Sequence, residues 1–114
     1  MLTIYHNNRC SKSREVLSLL EQLGRPFQVV NYLSEPLDET ALRALLAQLQ
    51  LPPRGLLRNK EDEYKSMGLD NEALSDEAII QAMLTEPKLI ERPVVVHGNK
   101  AVIARPASRL LELF

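Results

Sequence analysis

The chain has 114 residues, 14 basic and 15 acidic side chains for a net charge of −1, 45% apolar residues, one cysteine and no tryptophan. That length suits one domain around one core. The balanced charge gives no general attraction to nucleic acid or membrane surfaces, no run approaches the ~20 apolar residues of a membrane span, and three Tyr and two Phe make a poor stacking platform for single-stranded nucleic acid. No basic segment followed by a long apolar one opens the chain, so no secretory signal is read. A lone cysteine admits no internal disulfide and suits a reducing compartment. The expectation is a cytoplasmic protein with neither nucleic acid nor membrane as partner.

Residues 2–6 (Leu-Thr-Ile-Tyr-His) alternate and are β-branched in part, which predicts a strand. Residues 11–23 predict a helix with Val16, Leu17, Leu19, Leu20 and Leu23 on its apolar face and Gly24 as its stop. Residues 27–32 predict a second strand, parallel to the first because a helix connects them. Asp38 is placed to cap a helix with Leu42, Leu45, Leu46 and Leu49 inside, and Pro52-Pro53 ends it. Short helical pieces are expected over 54–66. Ser75 caps a further helix, with Asp76 and Glu77 in its first turn and Ile79, Ile80, Met83 and Leu84 inside. Residues 94–96 and 101–104 read as two strands around a Gly-Asn turn. Pro106 suits the first turn of a last helix, with Leu110, Leu111 and Phe114 on its apolar face.

The order is therefore β-α-β, a helical insert at about 36–86, then β-β-α, in one domain spanning 1–114. It resembles the α/β thioredoxin/glutaredoxin-like fold, with a mixed four-stranded sheet. In that fold a cis proline faces the active cysteine, and Pro93 holds the corresponding place.

Cys10 sits in a polar loop where the first strand hands over to the first helix, between Arg9 and Ser11-Lys12-Ser13-Arg14. Free N–H groups at a helix start carry partial positive charge and bind anions. A thiol there ionises more easily, and Arg14 lies one turn away. Position 13 is Ser, so a Cys-x-x-Cys redox site is excluded. Position 16 is Val, so the Cys-x5-Arg loop of tyrosine phosphatases is excluded too. One Cys and two distant histidines, His6 and His97, give no zinc signature, and no metal is expected. The acidic run Glu61, Asp62 and Glu63 reads as a solvated loop, and His97 as a surface residue of the hairpin. What remains is a monothiol nucleophile that needs a second thiol from outside.

Arg92 and Arg105 each stand directly before a proline at the edge of a predicted strand, which holds them extended. A planar guanidinium suits tetrahedral oxyanions.

Ile4-Tyr-His-Asn7, Cys10-Ser-Lys-Ser-Arg14, Leu56-Leu-Arg58, Tyr64 through Gly68-Leu69, Arg92-Pro93-Val94-Val95 and Arg105-Pro106 together resemble the ArsC family, the glutathione- and glutaredoxin-coupled arsenate reductases of the thioredoxin superfamily. The match runs nearly end to end. The resemblance implies that Cys10 attacks arsenate and that Arg58, Arg92 and Arg105 hold the oxyanion. It implies that His6 lies near the cysteine and aids its ionisation, with Asn7, Ser13, Arg14 and Pro93 as supporting residues. Glutathione, a co-substrate rather than a tightly bound cofactor, then displaces the arsenic as arsenite, and glutaredoxin reduces the mixed disulfide. The expected setting is bacterial arsenic detoxification by a monomer. One departure is Asn8, where the family commonly has proline.

Alternatives share the fold. A glutathione-dependent thiol reductase acting on protein mixed disulfides or another oxyanion would keep Cys10, and a disulfide substrate would not need the arginines. A regulator of the Spx type, which binds RNA polymerase, typically carries the Cys-x-x-Cys that Ser13 interrupts. A passive anion binder would keep the cations without a reactive thiol.

Overall fold

In a computed structural model describing residues 2–114, the chain forms two compact units. One comprises the N-terminal segment to Glu35 and Arg92–Phe114; the other runs Pro36–Glu91.

The first unit is built on a four-stranded mixed sheet of order β2-β1-β3-β4. Strand β1 (Leu2–His6) is parallel to β2 (Phe27–Asn31) and antiparallel to β3 (Val94–His97), which pairs antiparallel with β4 (Lys100–Ile103). The parallel pair is joined through helix α1 (Ser11–Leu23), as a crossover requires. Gly24 ends α1 at φ 69°, a left-handed conformation that costs a side-chain-free residue little. The core holds Leu2 and Ile4 of β1, Val16 and Leu20 of α1, Val95, Val102 and Ala104, and Leu110 and Leu113. Burial at positions 2, 4 and 6 of β1 follows the two-residue period of a strand.

The C-terminal segment corrects an expectation. Ala107–Leu113 is a 3₁₀ helix, with Pro106 at its cap and not in its first turn. A 3₁₀ turn has three residues, so Leu110 and Leu113 share the inward face. Leu111 and Phe114, expected inside by α-helical spacing, are 58% and 49% exposed. Phe114 instead meets the Arg25 guanidinium, 4.3 Å from the ring centroid, and the His97 ring. His97 is half-buried and not simply a surface residue: its Nδ1–H donates to the Leu113 carbonyl at 3.2 Å.

The second unit contains α2 (Glu39–Leu49), α3 (Pro53–Leu56), α4 (Asp62–Ser66) and α5 (Asp76–Thr85). Asp38 and Ser75 cap α2 and α5 through their side chains, accepting from Ala41 N–H at 2.8 Å and Ala78 N–H at 3.2 Å. Leu42, Leu45, Leu56, Ile79, Met83 and Leu89 are fully buried here. An antiparallel bridge between Leu57 and Ile90 ties the end of α3 to the segment before Arg92. No described helix is long and apolar enough to cross a membrane.

Candidate active site

The strand register assembles the site in the sheet unit. Tyr5 of β1 lies opposite Val94 of β3, and Val94 lies opposite Ile103 of β4. Arg92-Pro93 and Ala104-Arg105 therefore emerge at the end of the sheet where β1 passes into the Cys10 loop. Ala104 N–H donates to the Pro93 carbonyl at 2.9 Å, and Arg105 Nη1 donates to the Arg92 carbonyl at 3.1 Å. Both Arg–Pro peptides are cis: the one at Pro93, as the fold resemblance implies, and the one at Pro106.

The loop that carries the thiol is fixed mainly by Asn7. The Asn7 carbonyl accepts from Cys10 N–H at 3.0 Å, its Oδ1 accepts from Arg9 N–H at 2.9 Å, and its own N–H donates to Ser13 Oγ at 3.0 Å. Arg14 Nη1 adds a hydrogen bond to the Asn8 carbonyl at 2.9 Å. Side chains thus brace a loop in which Asn8 takes the place of the family's proline. Asn8 contributes through its carbonyl, which a proline also carries.

Cys10 is the N-cap of α1 and is partly exposed. Its thiol makes no conventional capping hydrogen bond. Even so, its surroundings favour the thiolate. Partial burial pushes the pKa up. The Ser13 amide, the Arg92 side chain, the Lys12 amide and the Arg92 charge push it down, and the net shift is downward. These are the free N–H groups of a helix start acting together with a guanidinium. Arg92 is 8% exposed, so its charge works where water screens it weakly.

His6 and Ser13 form a second buried pair. Ser13 Oγ is 2.7 Å from His6 Nδ1. With one lone pair taken by Asn7 N–H, the hydroxyl can donate to a neutral ring that bears its proton on Nε2. Burial first, and the Arg14 charge second, hold the His6 pKa below its ordinary value. His6 is absent from the groups that shift Cys10. In this structure it braces Ser13, whose amide faces the thiol. Arg14 likewise acts on His6 and the loop; the cation at the sulfur is Arg92, which stands 82 positions away and is brought there by β-pairing.

Arg58 belongs to the helical unit. Its Nε donates to Glu61 Oε1 at 3.0 Å and its Nη1 to Glu91 Oε1 at 2.9 Å. The acidic run is therefore not a plain solvated loop: Glu61 pairs with Arg58 and Glu63 with Lys88. The Arg58–Glu61 pair is legible as a three-residue spacing on a turn. The Glu91 partner, 33 residues away, has no local signal. No cluster of three or more His, Cys, Asp or Glu placed to hold a metal occurs among the described residues.

The fold and site define a thioredoxin-like α/β protein with one activated thiol beside an arginine and no second cysteine. The chain belongs to the ArsC family, whose model matches residues 5–113. It is 44% identical over 110 residues to an arsenate reductase of Neisseria meningitidis (serogroup A), covering 96% of this chain and 94% of that one. It is 52% identical over 111 residues to the Escherichia coli K12 protein named uncharacterized protein YfgD, covering 96% and 93%. Among solved structures it is similar to an arsenate reductase from Vibrio cholerae at 45% identity and a TM-score of 0.95, covering 99% of this chain and 97% of the other.

Proposed function

We propose that this protein reduces arsenate to arsenite through Cys10, with glutathione and glutaredoxin as the source of electrons. The observation that carries the reading is the Cys10 thiol held below its ordinary pKa by Arg92 and two helix-start amides, in a chain of the ArsC family.

The chemistry follows from those groups. A thiolate that approaches a multiply charged oxyanion meets repulsion, which fixed cations lower. Arg92 serves the sulfur and the incoming oxyanion at the same end of the sheet, and Arg105 emerges beside it. Arg58 enters this reading through the family resemblance. The Cys10 sulfur bonds to arsenic(V), and one arsenate oxygen leaves as water after protonation. A glutathione thiolate then attacks the Cys10 sulfur. The sulfur–arsenic electron pair stays on arsenic, which departs as arsenite. Two thiols have been oxidised to one mixed disulfide, and arsenic has gained two electrons. The low-pKa Cys10 sulfur is a good leaving group when glutaredoxin resolves that disulfide. With one cysteine in the chain, the second and third thiols come from outside.

The same reading makes the protein a cytoplasmic, monomeric enzyme of bacterial arsenic detoxification with no tightly bound cofactor. It is tested by mass spectrometry of the protein incubated with arsenate and glutathione but no glutaredoxin. The expected product is a single glutathione adduct on Cys10 whose formation requires arsenate. A protein that stays unmodified while arsenate is present overturns the reading.

A further inference from the structure

The Arg58 guanidinium has five N–H donors in a rigid fork. Two are used within the helical unit: Nε–H by Glu61 and one Nη1–H by Glu91. Neither bond uses Nη2, which keeps its N–H donors for a further acceptor. A guanidinium N–H donates strongly to an oxyanion oxygen, because the hydrogen bond is charge-assisted. The pairs are sheltered, with 15% exposure for the Arg58 side chain, 24% for Glu61 and 27% for Glu91.

The backbone holds both ends of this arrangement. Arg58 N–H donates to the Leu89 carbonyl at 2.7 Å and Glu91 N–H to the Leu56 carbonyl at 2.8 Å, flanking the Leu57–Ile90 bridge. Leu56, Leu89 and Ile90 are buried. Glu63 pairs with Lys88 alongside. Arg58 is therefore aimed by two carboxylates on a fixed frame, and those carboxylates also offset its charge.

We propose that Glu61 and Glu91 are positioning and selectivity residues for an oxyanion at Arg58: they fix the guanidinium so that its Nη2 donors are presented, and they lower the attraction of those donors for anions. This rests on the reading of Arg58 as an oxyanion residue. Two comparisons separate the two effects. Glutamine keeps an acceptor oxygen and removes the charge, so Gln against wild type isolates charge. Alanine removes both, so Ala against Gln isolates aim.

Sulfate binding to the full chain is measured by calorimetry at fixed ionic strength for wild type, Arg58→Ala, and the Gln and Ala variants of Glu61 and Glu91. Each Gln variant is expected to bind sulfate about two- to tenfold more tightly than wild type, from loss of one nearby negative charge. Each Ala variant is expected to bind several-fold more weakly than its Gln partner. The Arg58 Nε–H resonance, protected from exchange in wild type and in Glu61→Gln, is expected to lose protection in Glu61→Ala, a readout that needs no anion. Gln variants no tighter than wild type, or Ala variants equal to Gln, overturn the proposal. Arg58→Ala binding sulfate as well as wild type defeats the parent reading of Arg58 instead, so the two failures are distinct.

Discussion

In the sheet unit Arg92 is turned onto a thiol; in the helical unit Arg58 is held between two carboxylates. The first cation is buried and changes the chemistry of its neighbour. The second is balanced by acidic groups that leave Nη2 unused. The same division extends to the remaining polar groups. The sheet unit buries His6, Asn7 and Ser13 in one hydrogen-bonded set around the Cys10 loop. The helical unit places Arg43, Glu39 and Glu77 in exposed pairs on its surface. Charge near the sulfur is spent on reactivity, and charge elsewhere in pairs adds little to stability because water screens it.

The sharpest way to break this contrast is Arg92→Gln. It removes the guanidinium from the thiol, so the Cys10 pKa rises toward its ordinary value. Alkylation by iodoacetamide should then reach half its maximal rate at a higher pH than in wild type. Arsenate turnover should fall on the order of 10²–10³-fold, the scale of losing one preorganised charge-stabilising donor. An unchanged midpoint would show that the helix-start amides suffice.

Ser13→Ala tests the buried set. It leaves Asn7 N–H and His6 Nδ1 without the hydroxyl, and the expected cost is about 1–3 kcal/mol in urea unfolding. A smaller effect follows from His6 itself. Its folded pKa is depressed, so as pH falls the unfolded chain takes up a proton first. The His6 contribution is complete above about pH 6.5 and is lost as pH drops through that value toward the folded pKa. Stability against pH should decline below that point in wild type and less steeply in His6→Gln. The smallest effect is in the helical unit: Arg43→Ala, which deletes exposed pairs to Glu39 and Glu77, should leave the unfolding midpoint where it is.

Much of the frame was legible because it is written locally. The limits of β1 and α1, the Gly24 stop, the Asp38 and Ser75 caps and the parallel β1–β2 pair follow from side-chain periodicity and capping chemistry. Cys10 was legible as a thiol at a helix start, and the register shows Arg92 and Arg105 at its end of the sheet. The unread features depend on contacts distant in sequence or on a change of helical period. The Arg58–Glu91 pair needs the Leu57–Ile90 bridge to exist. The partnership of His6 with Ser13 needs the loop to fold back through Asn7. Leu113 faces inward and Leu111 outward because the last turn tightens to 3₁₀, which a 3.6-residue pattern misassigns.

The central claim is that one activated thiol, Cys10, reduces arsenate with external thiols. The most direct test is arsenite formation from arsenate in the presence of glutathione, glutaredoxin, glutathione reductase and NADPH, for wild type and Cys10→Ser. The account predicts steady arsenite production by wild type and none above background by Cys10→Ser. No arsenite from a wild-type protein whose Cys10 alkylates rapidly at neutral pH would contradict it.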